Sequence, residues 1–154
     1  MNLFKTVSGH LKRALFATVI LSAMVGLLAS PGLAATTNVS SGSAGYMQLP
    51  IHISGQYTAS TTAVAKWLAP MPCEVYHVSA TARASGGTTP TLSVVFKNGA
   101  STVSTIAVTA GTITEGTLAN TTVADEATLS IDLTIGGTSP TWNDIMVLVG
   151  CKRN

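Results

Sequence analysis

The chain has 154 residues, of which 46% are hydrophobic and only 9% are charged, and its formal net charge is +2. The length suits a single domain. The positive balance comes from Lys5, Lys12 and Arg13 near the N-terminus, and the rest of the chain is slightly acidic. Because nucleic-acid binding needs clustered basic side chains, this distribution argues against a nucleic-acid partner.

Residues 1–34 have the three parts of a secretory signal peptide. A basic start ends at Arg13, an apolar stretch runs from Ala14 to about Ala29, and Gly32 and Ala34 are small residues before a cleavage point at Ala35. The apolar core is short for a membrane span, which needs about 20 residues. We therefore expect a cleaved signal peptide. The alternative is an uncleaved apolar anchor helix, and only then do residues 14–34 contact a membrane.

Residues 35–50 are rich in Ser, Thr and Gly, and we interpret them as a flexible arm. Such an arm either ties the domain to a neighbouring subunit or is a terminus without that role. From residue 51 onward, short runs rich in Thr and Val are separated by Gly, Pro and Asn. Because β-branched residues favour strands, this pattern predicts a β domain over residues 51–154.

Two runs show the strand pattern most clearly. In residues 127–135, apolar residues alternate with Thr, Ser and Asp, which predicts one buried face and one wet face. Residues 91–97 do the same and lead into Asn98-Gly99, a pair typical of a type I′ turn. The apolar residues of the strand that returns after this turn change phase along the strand. We therefore predict a bulge or bend near Ser104. Further strands are predicted in residues 73–84, 112–119 and 141–150, and two more in residues 51–67.

The expected fold is all-β. Several short strands at this spacing predict a single antiparallel β-sandwich, of the jelly-roll or immunoglobulin-like type, with about seven or eight strands. An N-terminal apolar helix precedes it. A domain of this size buries one modest core.

One six-residue segment occurs twice almost unchanged, as GGTTPT at 86–91 and as GGTSPT at 136–141. Gly-Gly permits positive φ, and Pro restricts the chain that follows. If successive strands alternate in direction, both segments lie at the same end of the domain. The structural interpretation is two hairpin-like connections of one type. The functional alternative is a pair of contact loops, formed by Gly86, Gly87, Thr88, Thr89, Pro90, Gly136, Gly137, Thr138, Ser139 and Pro140.

The two cysteines lie at the ends of the predicted strand series. Cys73 begins the first strand and Cys151 follows the last, so strand direction places both opposite the repeated segments. Export to an oxidising compartment allows a disulfide between them, which would stabilise the fold by about 4–5 kcal/mol in the chain-entropy model. If the chain folds in the cytoplasm, two buried free thiols are the alternative.

No pattern of catalytic or metal-binding residues is found. His52 and His77 have no Cys or carboxylate at zinc-ligand spacing, residues 125–126 suit a solvated turn, and no G-x-S-x-G motif occurs. We therefore expect no enzymatic activity, no cofactor and no metal. Trp67 and Trp142 are candidates for stacking on a glycan or a partner if they are exposed, and for core packing if they are buried.

Several features of the β domain occur in a characteristic order. They are an aromatic residue and a proline before the first strand, a Lys-Asn-Gly hairpin, an acidic turn, and a strand of alternating apolar residues that contains an Asp. These places are taken by Trp67, Pro70, Lys97, Asn98, Gly99, Asp125, Leu129, Ile131 and Asp132. Together, over residues 64–150, they resemble the β-sandwich module of tailed-phage virion structural proteins, such as head decoration, head fibre and minor capsid proteins.

This resemblance implies a non-enzymatic virion component at the virion surface. Its partners would be capsid or other structural subunits, including further copies of itself, or a host-surface glycan. The leader departs from the family, because most proteins of this kind assemble in the cytoplasm. In a virion protein, residues 14–34 would be the anchor of a virus with a membrane or a helix packed inside the assembly. The alternative is an exported bacterial β-sandwich protein that serves adhesion, filament or coat assembly, or glycan binding outside the cell.

Overall fold

The computed structural model describes residues 36–37, 40–41 and 45–153, and the predicted leader lies outside them. Within this part of the chain there is no helix, and ten strands form one antiparallel sheet, which confirms the all-β prediction. The strands are β1 Thr36–Thr37, β2 Ser40–Ser41, β3 Tyr46–Tyr57, β4 Thr61–Leu68, β5 Cys73–Asn98, β6 Ser101–Val108, β7 Thr114–Glu115, β8 Thr117–Leu118, β9 Thr122–Val123 and β10 Thr128–Arg153.

The two longest strands, β5 and β10, organise the sheet. Each has 26 residues, and they pair with each other from Leu129 opposite Asn98 to Arg153 opposite Cys73. β3 and β4 flank β10, and β6 flanks β5. The prediction that the chain breaks at both repeats was wrong, because the pairing continues through them. The merged strands are 73–84 with 91–97 in β5, and 127–135 with 141–150 in β10.

β3 begins earlier than expected. Met47, Leu49, Ile51 and Ile53 are buried and alternate with more exposed residues, and β1 and β2 pair with the edge of this strand. The flexible-arm prediction for residues 35–50 is therefore wrong for the paired residues. The signal was present in the sequence as the alternating apolar positions of YMQLPIHI, which continue across Pro50.

The hairpin between β5 and β6 differs from the prediction by one residue. Asn98 pairs with Ser101, so Gly99 and Ala100 form the turn. Only Gly99, at the first central position, has a positive φ, which fits a type II′ turn rather than type I′. The predicted bulge is confirmed, because Phe96 pairs with Ser104 while Lys97 pairs with Thr102.

Residues 112–119 do not form the single strand that was predicted. Instead, β7 pairs with β5 at Ser79, β8 pairs with β6 at Ser104, and β9 pairs with β5 at Cys73. Gly116 allows this change of partner, because a Cβ atom there would collide with the Ser104 side chain. The segment therefore contacts both β5 and β6 in turn.

One core supports all the longer strands. Phe96, Ile131 and Ile145 are fully buried, and they belong to a single cluster with residues of β3, β4, β5, β6 and β10. The cluster includes residues on both sides of each repeated segment. Burial of this kind is the main source of stability, at roughly 1.5–3 kcal/mol for each large apolar side chain.

Candidate contact surface

The two repeated segments lie against each other. Gly136 pairs with Thr91, Thr138 with Thr88, and Thr141 with Gly86, with a shift of register on each side of Thr138. Two residues of one segment thus stand opposite a single glycine of the other. Thr89 and Pro90 stand opposite Gly137, and Ser139 and Pro140 stand opposite Gly87. Neither segment is the hairpin-like connection that was predicted. They are two reciprocal bulges in the pairing of β5 with β10, and we call this place the crossing.

The glycines make this crossing possible. Gly87 has a φ of +98° and Gly137 a φ of +107°, a range that side chains rarely adopt. A Cβ atom on Gly87 would meet the backbone oxygens of Thr138 and Ser139, and one on Gly137 would meet the oxygen of Thr89 at 2.6 Å. Each segment therefore carries the glycine that the bulge of the other requires. Pro90 and Pro140 lie in the bulges, where a missing backbone N–H disrupts no pairing.

The tips of the repeats are open to solvent. Thr88, Thr89, Thr138 and Ser139 are exposed, while the glycines and prolines beside them are exposed or half-buried. Pairing brings all ten predicted contact-loop residues into one small area. Their role as contact loops stays a prediction, because the reciprocal packing accounts for the repetition without any partner.

Cys73 and Cys151 are joined in the structure by a disulfide that spans 78 positions. Both are 1% exposed. β5 and β10 stay paired from Gly86 opposite Thr141, at the crossing, to Cys73 opposite Arg153. The disulfide lies at the end of this stretch that is far from the crossing. The bond therefore connects the start of β5 to the end of β10.

The two tryptophans serve packing. Trp142 is 2% exposed, so no glycan ring can reach its face, and this corrects the stacking hypothesis for that residue. Trp67 is half-buried and stacks on Phe96, with ring centroids 6.0 Å apart. Sequence alone left both roles open because it does not show which face of a strand is covered.

Asp132 ties together the strands on both sides of β10. Its Oδ1 accepts a hydrogen bond from the Ala63 N–H at 2.7 Å, and its Oδ2 lies 3.0 Å from Lys97 Nζ. Ala63 has a positive φ and lies where the register of β4 against β10 shifts. The Ala63 hydrogen bond, assisted by Lys97 and opposed by burial, lowers the pKa of the Asp132 carboxyl below its ordinary value.

Asp144 repeats this arrangement further along β10. Its Oδ1 accepts from the Gly55 N–H at 3.1 Å, and its Oδ2 lies 2.6 Å from Arg83 Nη2. Gly55 also has a positive φ and lies beside a register shift, here between β3 and β10. In both places an aspartate on β10 accepts a hydrogen bond from an irregular residue of the neighbouring strand, which is β4 for Asp132 and β3 for Asp144. Each aspartate also pairs with a cation on β5.

Of the five exposed large apolar side chains among the described residues, four lie on or beside β3, β5 and β10, between the crossing and the disulfide. Ile145, Val147 and Val149 point into the core, so the alternate residues of β10 point outward. We call this side the outer face. Its central row consists of Asp144, Met146, Leu148, Gly150 and Lys152, and the neighbouring outward residues of β3 and β5 complete it.

Aromatic and aliphatic side chains cover the outer face. Met146 is 48% exposed, Tyr46 44% and Tyr76 42%, and Ile113 beside β7 is 73% exposed. The rings of Tyr46 and Tyr76 meet edge to face, and the Tyr76 ring lies over Gly150. A shallow groove of about 100 Å³ runs between Ile113, Met146 and Leu148. The groove has an apolar lining, which suits a protein contact better than a polar ligand.

Charged side chains stand at both ends of the outer face. Arg83 and Asp144 form an ion pair near the crossing, beside a groove of about 500 Å³ that His52 and Met146 also line. Glu74 and Lys152 pair across β5 and β10 near the disulfide, and both are exposed. An apolar centre with a charged rim is the usual anatomy of a protein interface.

The rest of the described chain adds no competing site. Residues 45–153 contain no cluster of three side chains that could hold a metal ion. His77 Nε2 lies 3.1 Å from Ser79 Oγ, and residues 125–126 form the predicted turn. No helix in the part of the chain that the structure describes is long and apolar enough to cross a membrane.

Comparison of the chain with known proteins finds no match. No family model matches the chain, and neither a curated protein nor a solved structure matches it.

Proposed function

We propose that this chain is a non-enzymatic structural protein that acts through protein–protein contacts made by its outer face. The observation that carries the proposal is the exposed apolar area formed by Tyr46, Tyr76, Met146 and Ile113 on one side of the sheet. Isolated apolar residues are normal on a protein surface, but a contiguous group with a charged rim is typical of a contact site.

The architecture that presents this face is, in our proposal, a two-layer β-sandwich. The paired strands β5 and β10 fold back at the crossing, so that the parts of both strands on one side of it form one layer and the parts on the other side form the second layer. Two observations support this. Buried residues from both parts belong to one cluster. The segment that contains β7, β8 and β9 pairs alternately with β5 and with β6, as a strip along the edge of two layers would.

Two settings suit such a protein. The resemblance to tailed-phage modules favours a virion component, which would decorate a capsid or belong to a fibre or minor capsid structure. The disulfide between Cys73 and Cys151 favours an exported bacterial protein of an adhesive, filament or coat assembly, because disulfides persist in oxidising compartments. The signal-like leader agrees with the second setting.

The intact mass of the native protein separates the two settings. A chain that starts at Ala35 and carries the disulfide supports export. A chain that retains Met1 with two free thiols supports assembly in the cytoplasm. Reduction reveals the disulfide as a gain of about 2 Da, the mass of two hydrogens.

The proposed function itself is tested by one substitution on the outer face and one elsewhere. We expect Met146→Glu to prevent the protein from entering its native assembly, because it places a charge in the apolar centre of the contact. Leu68→Glu is the matched control, since Leu68 is 61% exposed but belongs to β4, outside the outer face. The amount of each variant in the purified assembly is the readout. Normal incorporation of Met146→Glu would refute the proposal.

A further inference from the structure

We infer that the partner of the outer face is a second copy of this chain, related by a twofold axis that crosses the strands at Leu148. This inference rests on the proposed function, because it names the partner of the same face.

The charges at the two ends are complementary under this symmetry. Asp144 and Lys152 lie equally far from Leu148 along β10, in opposite directions. On β5, Arg83 stands beside Asp144, and Glu74 pairs with Lys152. A twofold axis across the strands reverses their direction. It places Asp144 against Lys152 of the second copy, and Arg83 against Glu74 of the second copy. Each of these four charges then faces one of opposite sign, while the exposed Glu115 of β7, which pairs with Ser79 at the level of Leu148, lies near the axis and faces Glu115 of the second copy.

The apolar side chains are also complementary. The tyrosines Tyr46 and Tyr76 lie towards the Lys152 end of the face, while Met146 and Ile113 lie towards the other end. The same axis places Met146 of one copy over Gly150 and the Tyr76 ring of the other. A methionine sulfur packs favourably against an aromatic ring. An axis along the strands between β5 and β10 would instead place Met146 against Thr81, its neighbour on β5.

The area is adequate for a dimer. The three strands of the face and the two residues of β7, with strands about 4.8 Å apart and rising about 3.3 Å for each residue, cover on the order of 450 Å² of flat surface. Protruding side chains increase this towards the roughly 800 Å² that each partner buries in a standard interface. We expect a dimer of moderate affinity, whose stability depends on both the apolar centre and the charged rim.

Reversing one charge gives a test that only this geometry passes. In Glu74→Arg, two arginines meet at each of two symmetric contacts, and in Arg83→Glu two glutamates meet there. We expect each variant alone to raise the dissociation constant of the dimer by about tenfold or more.

An equimolar mixture of the two variants should restore the dimer. In the heterodimer, one contact joins the arginine introduced at position 74 to the glutamate introduced at position 83 of the other variant. The second contact keeps the original pair of Arg83 and Glu74. Both contacts therefore join opposite charges, and a heterodimer of near-parent affinity should form.

Sedimentation equilibrium measures the dissociation constant of the dimer for the parent and for each variant, with the protein in the processed form in which its native source contains it. Native mass spectrometry detects the heterodimer. Thermal unfolding of each variant shows whether it is folded. A monomeric parent would overturn the inference, including the case in which the apolar residues 14–34 of the same chain cover the face. Failure of the mixture to restore the dimer would also overturn it, since with an axis along the strands between β5 and β10 position 74 meets Lys152 and position 83 meets Asp144, and the mixture keeps both repulsive contacts.

The outcome can be separated from that of the proposed function. If Met146→Glu blocks native assembly but the mixed variants do not pair, the face binds a different subunit and only self-association is refuted. If Met146→Glu has no effect on assembly, the proposed function fails as well.

Discussion

Asp132 shows how a single side chain fixes the position of two strands. Its carboxylate accepts the Ala63 N–H from β4 and pairs with Lys97 of β5, and its side chain is only 16% exposed. Hydrogen bonds to a charged group are stronger than neutral ones, with a net contribution of about 1.5–3 kcal/mol. Asp132 stands on the wet face of an alternating strand, so sequence predicts its direction but not its partners. The irregular conformation of Ala63, which presents the donor, leaves no sequence signal.

We expect Asp132→Asn to lower the free energy of unfolding by about 1–3 kcal/mol at neutral pH. Because the folded state lowers the pKa of this carboxyl, its stabilising contribution is complete above the unfolded pKa of about 3.9. It is lost as the pH falls through the lower pKa of the folded state. Urea unfolding from neutral to acidic pH measures both effects. Asp125→Asn, in the exposed turn, is the control, and an equal loss in the two variants would contradict this role for Asp132.

At the scale of the elements, the crossing of β5 and β10 explains why the chain contains two similar segments. The sequence predicts that both segments lie together at one end, and in the structure they pair with each other. It did not predict that the strands continue through them. Gly-Gly and Pro normally end a strand, and sequence alone cannot show that two interruptions compensate for each other across a pair of strands.

Alanine substitutions test the crossing. Gly55, with a φ of +101° and no atom near its hypothetical Cβ, measures the cost of the backbone conformation alone. We expect Gly55→Ala to cost about 1–2 kcal/mol. Gly87→Ala and Gly137→Ala should each cost at least about 1 kcal/mol more, because their Cβ atoms meet backbone that cannot easily move. Chemical unfolding gives the three values. Equal losses at all three glycines would show that close approach is unimportant.

At the scale of the whole molecule, the disulfide joins the two long strands far from the crossing. In the chain-entropy model, a bond that closes a loop of 78 positions stabilises the fold by about 4–5 kcal/mol. We expect the variant Cys73→Ser/Cys151→Ser to lose stability of this order relative to the oxidised protein, as measured by urea unfolding. The reduced parent chain is the control for the loss of sulfur packing. Equal stability of the oxidised and reduced parent would contradict a stabilising bond.

The general class of the fold was predictable from composition and alternation, but the contact surface was not. Met146 and Leu148 lie in an apolar run whose residues sequence analysis assigned to a strand without distinguishing its two faces. The sequence pattern assigns Tyr46 to an arm and Ile113 to a regular strand. The outer face combines residues from distant parts of the chain, so only strand register brings them together.

The most direct test of a contact role for the outer face is photo-cross-linking inside the cells or particles that contain the native protein. A photoreactive amino acid is placed at Met146, or at Leu68 as the control, and the cross-linked products are identified by mass spectrometry. We expect position 146 to give one abundant product with a stoichiometric subunit of the assembly, this chain included, and position 68 to give none. No product at position 146, or the same products at both positions, would contradict a contact role for this face.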